Sequence, residues 1–304
     1  MSAPVIFDSV AISPYDELIA YEYLYSLDKA NLKSMTQQTV LSNKLPTEVL
    51  SEHVGFLQPE SIDLITKHIR SKADQFSVAI NNTPSYPKKL KESKRPTPLF
   101  YYRGDIGLLE SISVSIVGAR KTNESGLARA HRLATELTEN GITVVSGLAL
   151  GVDTAALSAA VQAGGNVIGV IGTPIDEYYP AQNRELQDEI AHNHLLISQV
   201  PFYKYARQAF ETKRQYFPER NELMAAVSDA TVIVEASDTS GTLTQARACL
   251  AQGRPLFIMR SCAENPNLKW PQELLIKAPQ SVFILDETAQ ILDLFRMEKQ
   301  INNA

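Results

Sequence analysis

Apolar residues recur along this chain with two different periods, and the change from one to the other divides it. Between about residues 12 and 75 they stand three and four apart: Tyr15, Leu18, Ile19, Tyr23 and Leu27, then Ile62, Ile65 and Ile69. That is the helical period. Pro46 and Pro59 fall where helices would begin, a position proline tolerates well. Residues 1–80 are therefore expected to form a small helical domain. From Val114 onward the pattern changes to short, mostly apolar runs: Val114–Val117, Thr143–Val145, Val167–Ile171, Leu195–Ser198, Thr231–Val234 and Leu256–Met259. Amphipathic stretches separate them. In one, Leu127, Ala130, Leu133, Ala134 and Leu137 share a face behind a cap at Thr122 or Asn123. Strands apolar on both faces and joined by helices predict a parallel sheet covered on both sides, the α/β class. A last strand in the run SVFIL and an amphipathic helix from Asp286 to about Met297 complete a core over residues 111–304.

Between these parts, residues 81–110 change character. The run from Asn81 to Phe100 holds Pro84, Pro87, Pro96 and Pro98 together with Lys88, Lys89, Lys91, Lys94 and Arg95. Prolines extend a chain, so a basic linker is expected here, either an arm that touches a polyanion or a solvated connector. Composition adds exclusions. The 304 residues are 44% hydrophobic and 21% charged, ordinary for a globular protein. The formal net charge of -5 rules out a general polycation but leaves room for a local basic patch. Cys249 and Cys262 make neither a disulfide framework nor a metal-binding pair, in keeping with a reducing cytoplasm. MSAPVIFDSV lacks the form of a secretory signal, and no apolar run approaches the roughly 20 residues that span a bilayer. A cytoplasmic protein with no membrane contact is expected.

Four loops carry the candidate chemistry. Gly118-Ala119-Arg120-Lys121 follows the first core strand; its glycine permits close backbone approach, and the next helix offers its N-terminus to an anion. It is not G-x-G-x-x-G, and Ser146-Gly147 replaces the acidic residue that would hold a ribose, which disfavours a dinucleotide cofactor. The second loop, Ser146-Gly147-Leu148-Ala149-Leu150-Gly151, has exposed amides, with Asp153 as a first-turn carboxylate. The third, Lys204 to Arg220, interleaves Lys204, Arg207, Lys213, Arg214 and Arg220 with Tyr205, Phe210, Tyr216 and Phe217. Cations beside aromatic rings suit single-stranded nucleic acid. The same rings could instead pin a long loop to the sheet, and Phe217 reads as core. The fourth, Ser240-Gly241-Thr242, opens a helix and forms a second phosphate cup. His131, His192 and His194 have no matching nucleophile and read as structural.

In order and wording these segments resemble the DNA-processing protein A (DprA/Smf) family of bacterial transformation, over roughly residues 84–285. The matching segments are YPKKL…PTPLFYYRGDIGLL, IVGARK, SGLALGVDTAA, FPERN and EASDTSGTLTQARACLAQGRPLF. The resemblance implies a Rossmann-like core, preceded by a small helical, sterile-alpha-motif-like domain. It also implies single-stranded DNA binding in a basic pocket, a homodimer, and hand-over of the strand to a RecA-type recombinase. The implied phosphate and DNA contacts are Gly118, Arg120, Lys121, Ser146, Gly147, Lys213, Arg214, Arg220, Asn221, Ser240, Gly241 and Thr242. No catalytic residue, cofactor or metal is implied, and the residues after the core are not expected to form a winged-helix module. The chain departs from the pattern at Leu150 and Leu157, where the family carries Arg and His. Glu222 replaces a second arginine, and Arg260-Ser261 a Pro-Gly. Fewer neutralised phosphates would weaken strand binding.

Two other readings stand beside this one. The cytokinin-activating phosphoribohydrolases share a similar fold and carry a catalytic glutamate three residues after Gly-Thr; here that position is Gln245, which cannot act as a carboxylate, so hydrolysis is disfavoured. A sensor for a small nucleotide, in a mobile-element or phage-defence setting, would keep the pocket and lose the DNA track.

Overall fold

The computed structural model describes residues 12–53 and 58–302. The reading of the N-terminal segment as lacking a signal, and the part of the helical stretch at 54–57, lie outside them. Helices α1 (Pro14–Ser26), α2 (Leu32–Gln38), α3 (Pro46–Ser51) and α4 (Pro59–Arg70) come first. Ser13 caps α1 through the Asp16 amide, and Asn31 and Ser34 form a reciprocal capping box on α2. The Glu17 carboxylate accepts from the Thr47 amide (2.9 Å) and hydroxyl (2.6 Å) at the start of α3.

The α/β part contains β1 (Ser77–Ile80), α5 (Lys88–Lys91), β2 (Leu99–Gly104), β3 (Ser113–Gly118), α6 (Glu124–Glu139), β4 (Thr143–Ser146), α7 (Val152–Gln162) and β5 (Val167–Ile171). It continues with α8 (Arg184–Asn193), β6 (Leu195–Ser198), α9 (Phe202–Arg207), α10 (Phe210–Lys213), α11 (Tyr216–Val227), β7 (Ala230–Glu235) and α12 (Thr242–Gln252). Last come β8 (Leu256–Met259), α13 (Arg260–Ala263), α14 (Trp270–Lys277), β9 (Val282–Leu285) and α15 (Ala289–Asn302). Among the described residues nine strands form one sheet in the order β1-β2-β6-β5-β4-β3-β7-β8-β9. Strands β3 to β9 are parallel, while β1 and β2 add antiparallel at the β6 edge. The seven expected strands are present within a residue or so, because burial on both faces marks them in the sequence.

The stretch read as a linker is part of this sheet. Its prolines bracket α5 between β1 and β2, and its ends are tied together. The Asn81 amide donates to Pro98 O (2.8 Å), and the Asn81 side chain (3.1 Å) and Tyr86 hydroxyl (2.8 Å) both reach Thr97 O. Several of its cations are already paired. Lys89 meets Asp229 at 2.8 Å, Lys88 meets Glu92 at 3.8 Å, and Arg95 bonds Glu222.

The N-terminal helices also join the core rather than standing apart. Leu18, Tyr21, Leu24 and Ile65 belong to the same buried cluster as Tyr101, Val144 and Phe202. Glu22 is fully buried at their junction, accepting from the Tyr101 hydroxyl (2.5 Å) and the α9 amides of Phe202 (2.8 Å) and Tyr203 (3.0 Å). Burial raises its pKa against the pull of these three donors. Lys72 and Asp176 add a half-buried ion pair at 2.5 Å across the same junction.

Candidate nucleic-acid interface

Strands β3, β4 and β5 succeed one another to one side of β3, and β7 returns to its other side. That reversal places the loops after β3 and β7 on opposite walls of a crevice at the carboxyl edge of the sheet, where open α/β sheets bind ligands. The crevice is a cleft of about 590 Å³ lined by Gly118, Arg120, Lys121, Arg220, Asn221, Ser240, Gly241 and Thr242, among others. The register between β3 and β7 slips at Val117/Gly118, so that Gly118 faces Glu235. The slip turns the first loop outward.

Glycines here make room for neighbours. A Cβ on Gly118 would lie 2.6 Å from Val152 Cγ2, and one on Gly151 2.4 Å from Ala119 O. Gly151 also has φ +80° and opens α7. Loops one and two are therefore packed backbone against side chain and backbone. In loop two, Leu148 takes φ 57°, a left-handed conformation that costs a branched residue about 1 kcal/mol or more. Asn183 holds it there by donating to Leu148 O at 2.8 Å. Asp153, buried at the start of α7, accepts from the amides of Gly147 (3.2 Å) and Ala149 (3.4 Å). Burial raises the Asp153 pKa, opposed chiefly by the Arg220 charge.

Arg220 is the buried cation of the site. Its Nη1 donates to Gly147 O (2.6 Å) and Val170 O (2.9 Å), and its Nε to Asn221 Oδ1 (2.9 Å). Its Nη2 makes no hydrogen bond among the described residues. Burial lowers its pKa, against the raising effect of Asp153. Arg120 and Lys121 are exposed at the mouth of the cleft. On the opposite wall Asp238 Oδ1 accepts from the Lys269 and Trp270 amides at 3.0 and 3.1 Å. Ser240 Oγ accepts from the Thr242 amide at 3.1 Å and donates to Thr242 Oγ1 at 2.9 Å. The Gly241 amide is left without a partner among the described residues, and no atom lies within 4 Å of where a Gly241 Cβ would stand. A free amide at the head of α12, three cations and an open approach together form an anion site.

Not every residue expected at the site reaches it. Ser146 is wholly buried and donates to Ile116 O at 2.6 Å, fixing β4 to β3. Gly147 borders a smaller recess with Arg120, Leu150, Tyr179 and Phe217. The long basic loop is helical: Tyr205 and Tyr216 pack 5.6 Å apart, and Lys213 lies over Tyr205 at 4.1 Å, away from the cleft. Arg214 is exposed at the end of α10, one turn before Phe217, and makes no ion pair among the described residues. Phe217 is not a core residue. It is half-buried at the cleft mouth, 5.6 Å from the Tyr179 ring and 5.6 Å from the Arg120 guanidinium. Only its spacing from Arg220 in FPERN, one helical turn, signals this in the sequence. Leu157 lies in the apolar core, and Glu222 lines no part of the cleft because Arg95 engages it. The expected weakening of a phosphate path rested on the arginine absent at Leu150 and on Glu222; Glu222 stands outside the cleft, whereas Leu150 borders the recess beside Arg120. Arg260, in the Pro-Gly position, bonds Asp286 and Glu264 and ties β8 to the segment after β9.

The family model for DNA recombination-mediator protein A matches residues 77–293. The DNA processing protein DprA of Streptococcus pneumoniae is 37% identical over 172 residues, 57% of this chain and 58% of that protein. The Bacillus subtilis protein of the same name is 27% identical over 260 residues, 84% of each. Among solved structures, the S. pneumoniae protein superposes with a TM-score of 0.69 at 25% identity, covering 93% of this chain and 98% of that one. A Helicobacter pylori DNA processing protein A, described for its single-stranded DNA binding mode, gives 0.61 at 27% identity over 74% of this chain and 97% of its own. A cleft at the topological switch of a Rossmann-like sheet, and a family match running from β1 into α15, place this chain in the DNA recombination-mediator protein A family.

Proposed function

We propose that the cleft binds single-stranded DNA, holding backbone phosphates at Arg120, Lys121, Arg220 Nη2 and the Gly241 amide. The observation that carries this reading is the contact between Arg120 and Phe217. It sets a cation and a half-buried aromatic ring side by side at the mouth of the anion site. A single strand offers a phosphate and an unstacked base at such a spacing, whereas a duplex keeps its bases stacked inside. Tyr179 and Leu150, both exposed beside Phe217, extend the apolar shelf.

Binding rather than hydrolysis fits the acids of the cleft. Asp153 accepts loop amides, and Glu235 accepts from Thr122 (2.7 Å) and pairs with Arg129 (3.6 Å). Gln245 stands where the related hydrolases have glutamate. The family relation supports a cytoplasmic role in DNA processing, in which a homodimer passes the strand to a RecA-type recombinase. Fluorescence anisotropy with labelled single-stranded and duplex oligonucleotides over a salt series tests the core of this reading. Salt-dependent preference for the single strand supports it; absence of binding at low salt overturns it.

A further inference from the structure

The basic surface does not stop at the rim of the cleft. Thr244, in the first turn of α12, borders the cleft, and Arg247 follows it one turn on, exposed, on the same side of the helix. With 11 residues, α12 is about 16 Å long. At its far end it meets the segment that carries α5. Gln252 Oε1 accepts from the Lys94 amide (3.0 Å) and the Ser93 hydroxyl (3.2 Å), and Gln252 Nε2 donates back to Ser93 Oγ (3.0 Å). Lys94 Nζ stands 2.8 Å from where a Cβ on Gly253 would lie, just past the last turn of α12. Leu90, 1% exposed, anchors α5 from below. The basic segment is thus a fixed platform, with Lys91 and Lys94 held exposed at the end of a helix that starts in the cleft.

Charge on this face is unbalanced. Glu92 is the sole acid from Asn81 to Pro98, and Thr242 to Arg254 contain none. The acids that do meet the face already have bases. Lys88 reaches Glu92 at 3.8 Å, Arg95 bonds Glu222, and Asp229 takes both Lys89 (2.8 Å) and Arg254 (3.5 Å). The side-chain cations of Lys91, Lys94 and Arg247 have no hydrogen bond or ion pair among the described residues. A chain of net charge -5 keeps three unneutralised bases on one side. Such a local excess attracts a polyanion whatever the total charge.

We infer that α12 and α5 form an outer track for a single strand leaving the cleft, with backbone phosphates on Arg247, Lys91 and Lys94. The inference rests on the strand-binding reading and says where a strand longer than the cleft continues. The track begins at a residue that borders the cleft and ends about 16 Å away, a distance a few nucleotides cover. It offers no exposed aromatic ring, so it contributes charge without stacking and without sequence preference.

The test varies strand length and protein together. Anisotropy over a salt series compares the full chain on oligothymidylates of about 6 and about 20 nucleotides, the shorter sized for the cleft alone. Wild type is expected to show a salt slope steeper by about 2 on the longer strand, at about 0.7 for each added phosphate contact. The triple variant Lys91→Ala, Lys94→Ala, Arg247→Ala is expected to bind the longer strand about tenfold or more weakly at low salt, with the slope of the shorter one. Its affinity for the shorter strand should stay within about twofold of wild type. A control, Lys33→Ala, Lys67→Ala, Arg70→Ala, removes as many exposed bases from the N-terminal helices and should keep wild-type binding at both lengths. Equal slopes for the two lengths in wild type overturn the inference without any variant. Loss shared equally by both lengths overturns it too, as does a control that loses as much as the track variant, since overall charge then accounts for the effect. Failure of wild type to bind either strand removes the strand-binding reading, and the inference with it.

Discussion

Arg220 occupies the place a side chain at Gly147 would need. Its Nη1 donates to Gly147 O at 2.6 Å, and a Cβ on Gly147 would stand 1.8 Å from that same nitrogen. Loop two and α11 are thereby fitted to each other. Gly147→Ala is expected to expel the guanidinium, breaking its bonds to Gly147 O and Val170 O and leaving Asp153 buried beside a displaced charge. Charge-assisted bonds of this kind contribute about 1.5–3 kcal/mol each. A drop of about 2 kcal/mol, read as a thermal midpoint several degrees lower, accompanied by weaker single-strand binding, is the expected outcome. An unchanged midpoint would remove Arg220 as the keystone of the site.

Gly241 presents the opposite case. Nothing lies within 4 Å of its absent Cβ, and its backbone has ordinary helical-side angles (φ -59°, ψ -19°). Gly241→Ala is therefore expected to leave the thermal midpoint within about 1 °C or raise it slightly, since alanine restricts the unfolded chain. If a phosphate lies on the Gly241 amide, the added methyl intrudes on it. Affinity for a single strand should then fall about tenfold, roughly the worth of one charge-assisted bond. A variant with wild-type affinity would place the phosphate elsewhere.

The exposed cations should act through charge alone. Arg120→Ala and Arg214→Ala are each expected to weaken single-strand binding. Each should also make the slope of log affinity against log salt shallower, by about 0.7 for every phosphate the protein no longer neutralises. Arg120 touches Phe217 and lines the cleft, whereas Arg214 stands a turn away outside it. The larger effect belongs to Arg120. Phe217→Ala tests the shelf: binding weaker by about 1–3 kcal/mol, with the salt slope unchanged, separates stacking from charge.

The sequence is most informative where burial is two-sided. Runs such as Val167–Ile171 have no polar position, and such runs are strands of a parallel sheet. The glycine loops are legible for a related reason, since a Cβ would strike the Val152 side chain at Gly118, the Arg220 guanidinium at Gly147 and the loop-one backbone at Gly151. Long-range pairing is not legible. Lys89 and Arg95 look like free charge until Asp229 and Glu222, more than a hundred residues away in sequence, are set beside them. The β1–β2 pair hides for the same reason: β1 is a four-residue edge strand, and β2 follows a proline-rich run, so neither carries much pattern of its own. Phe217 reads as core because hydrophobicity reports that a ring avoids water, not which side of it stays open. Gln245 stands out in the sequence only as a missing catalytic acid, and its burial against Ser115 and Thr231 becomes visible only in the fold.

The residue before Arg220 gives the fold a pH dependence of its own. Glu219 lies on α11 within electrostatic reach of Tyr21, Tyr25, Tyr216, Lys204 and Glu222. Burial, and then the charge of Glu222, push its pKa up to about 7 from the usual 4.5, while Lys204 pulls the other way. The folded state therefore holds a proton on Glu219 more tightly than the unfolded chain does. Its contribution is fully present below about pH 4.5 and is lost as pH rises through about 7. A shift of this size corresponds to about 3 kcal/mol at most between the two ends of that window. Glu219→Gln keeps the shape of the neutral acid and cannot ionise. It is expected to match wild type at pH 4.5 and to melt several degrees higher at pH 8, as thermal denaturation at the two values would read. Equal midpoints at pH 8 would mean that the ionised carboxylate finds water or Lys204 at little cost.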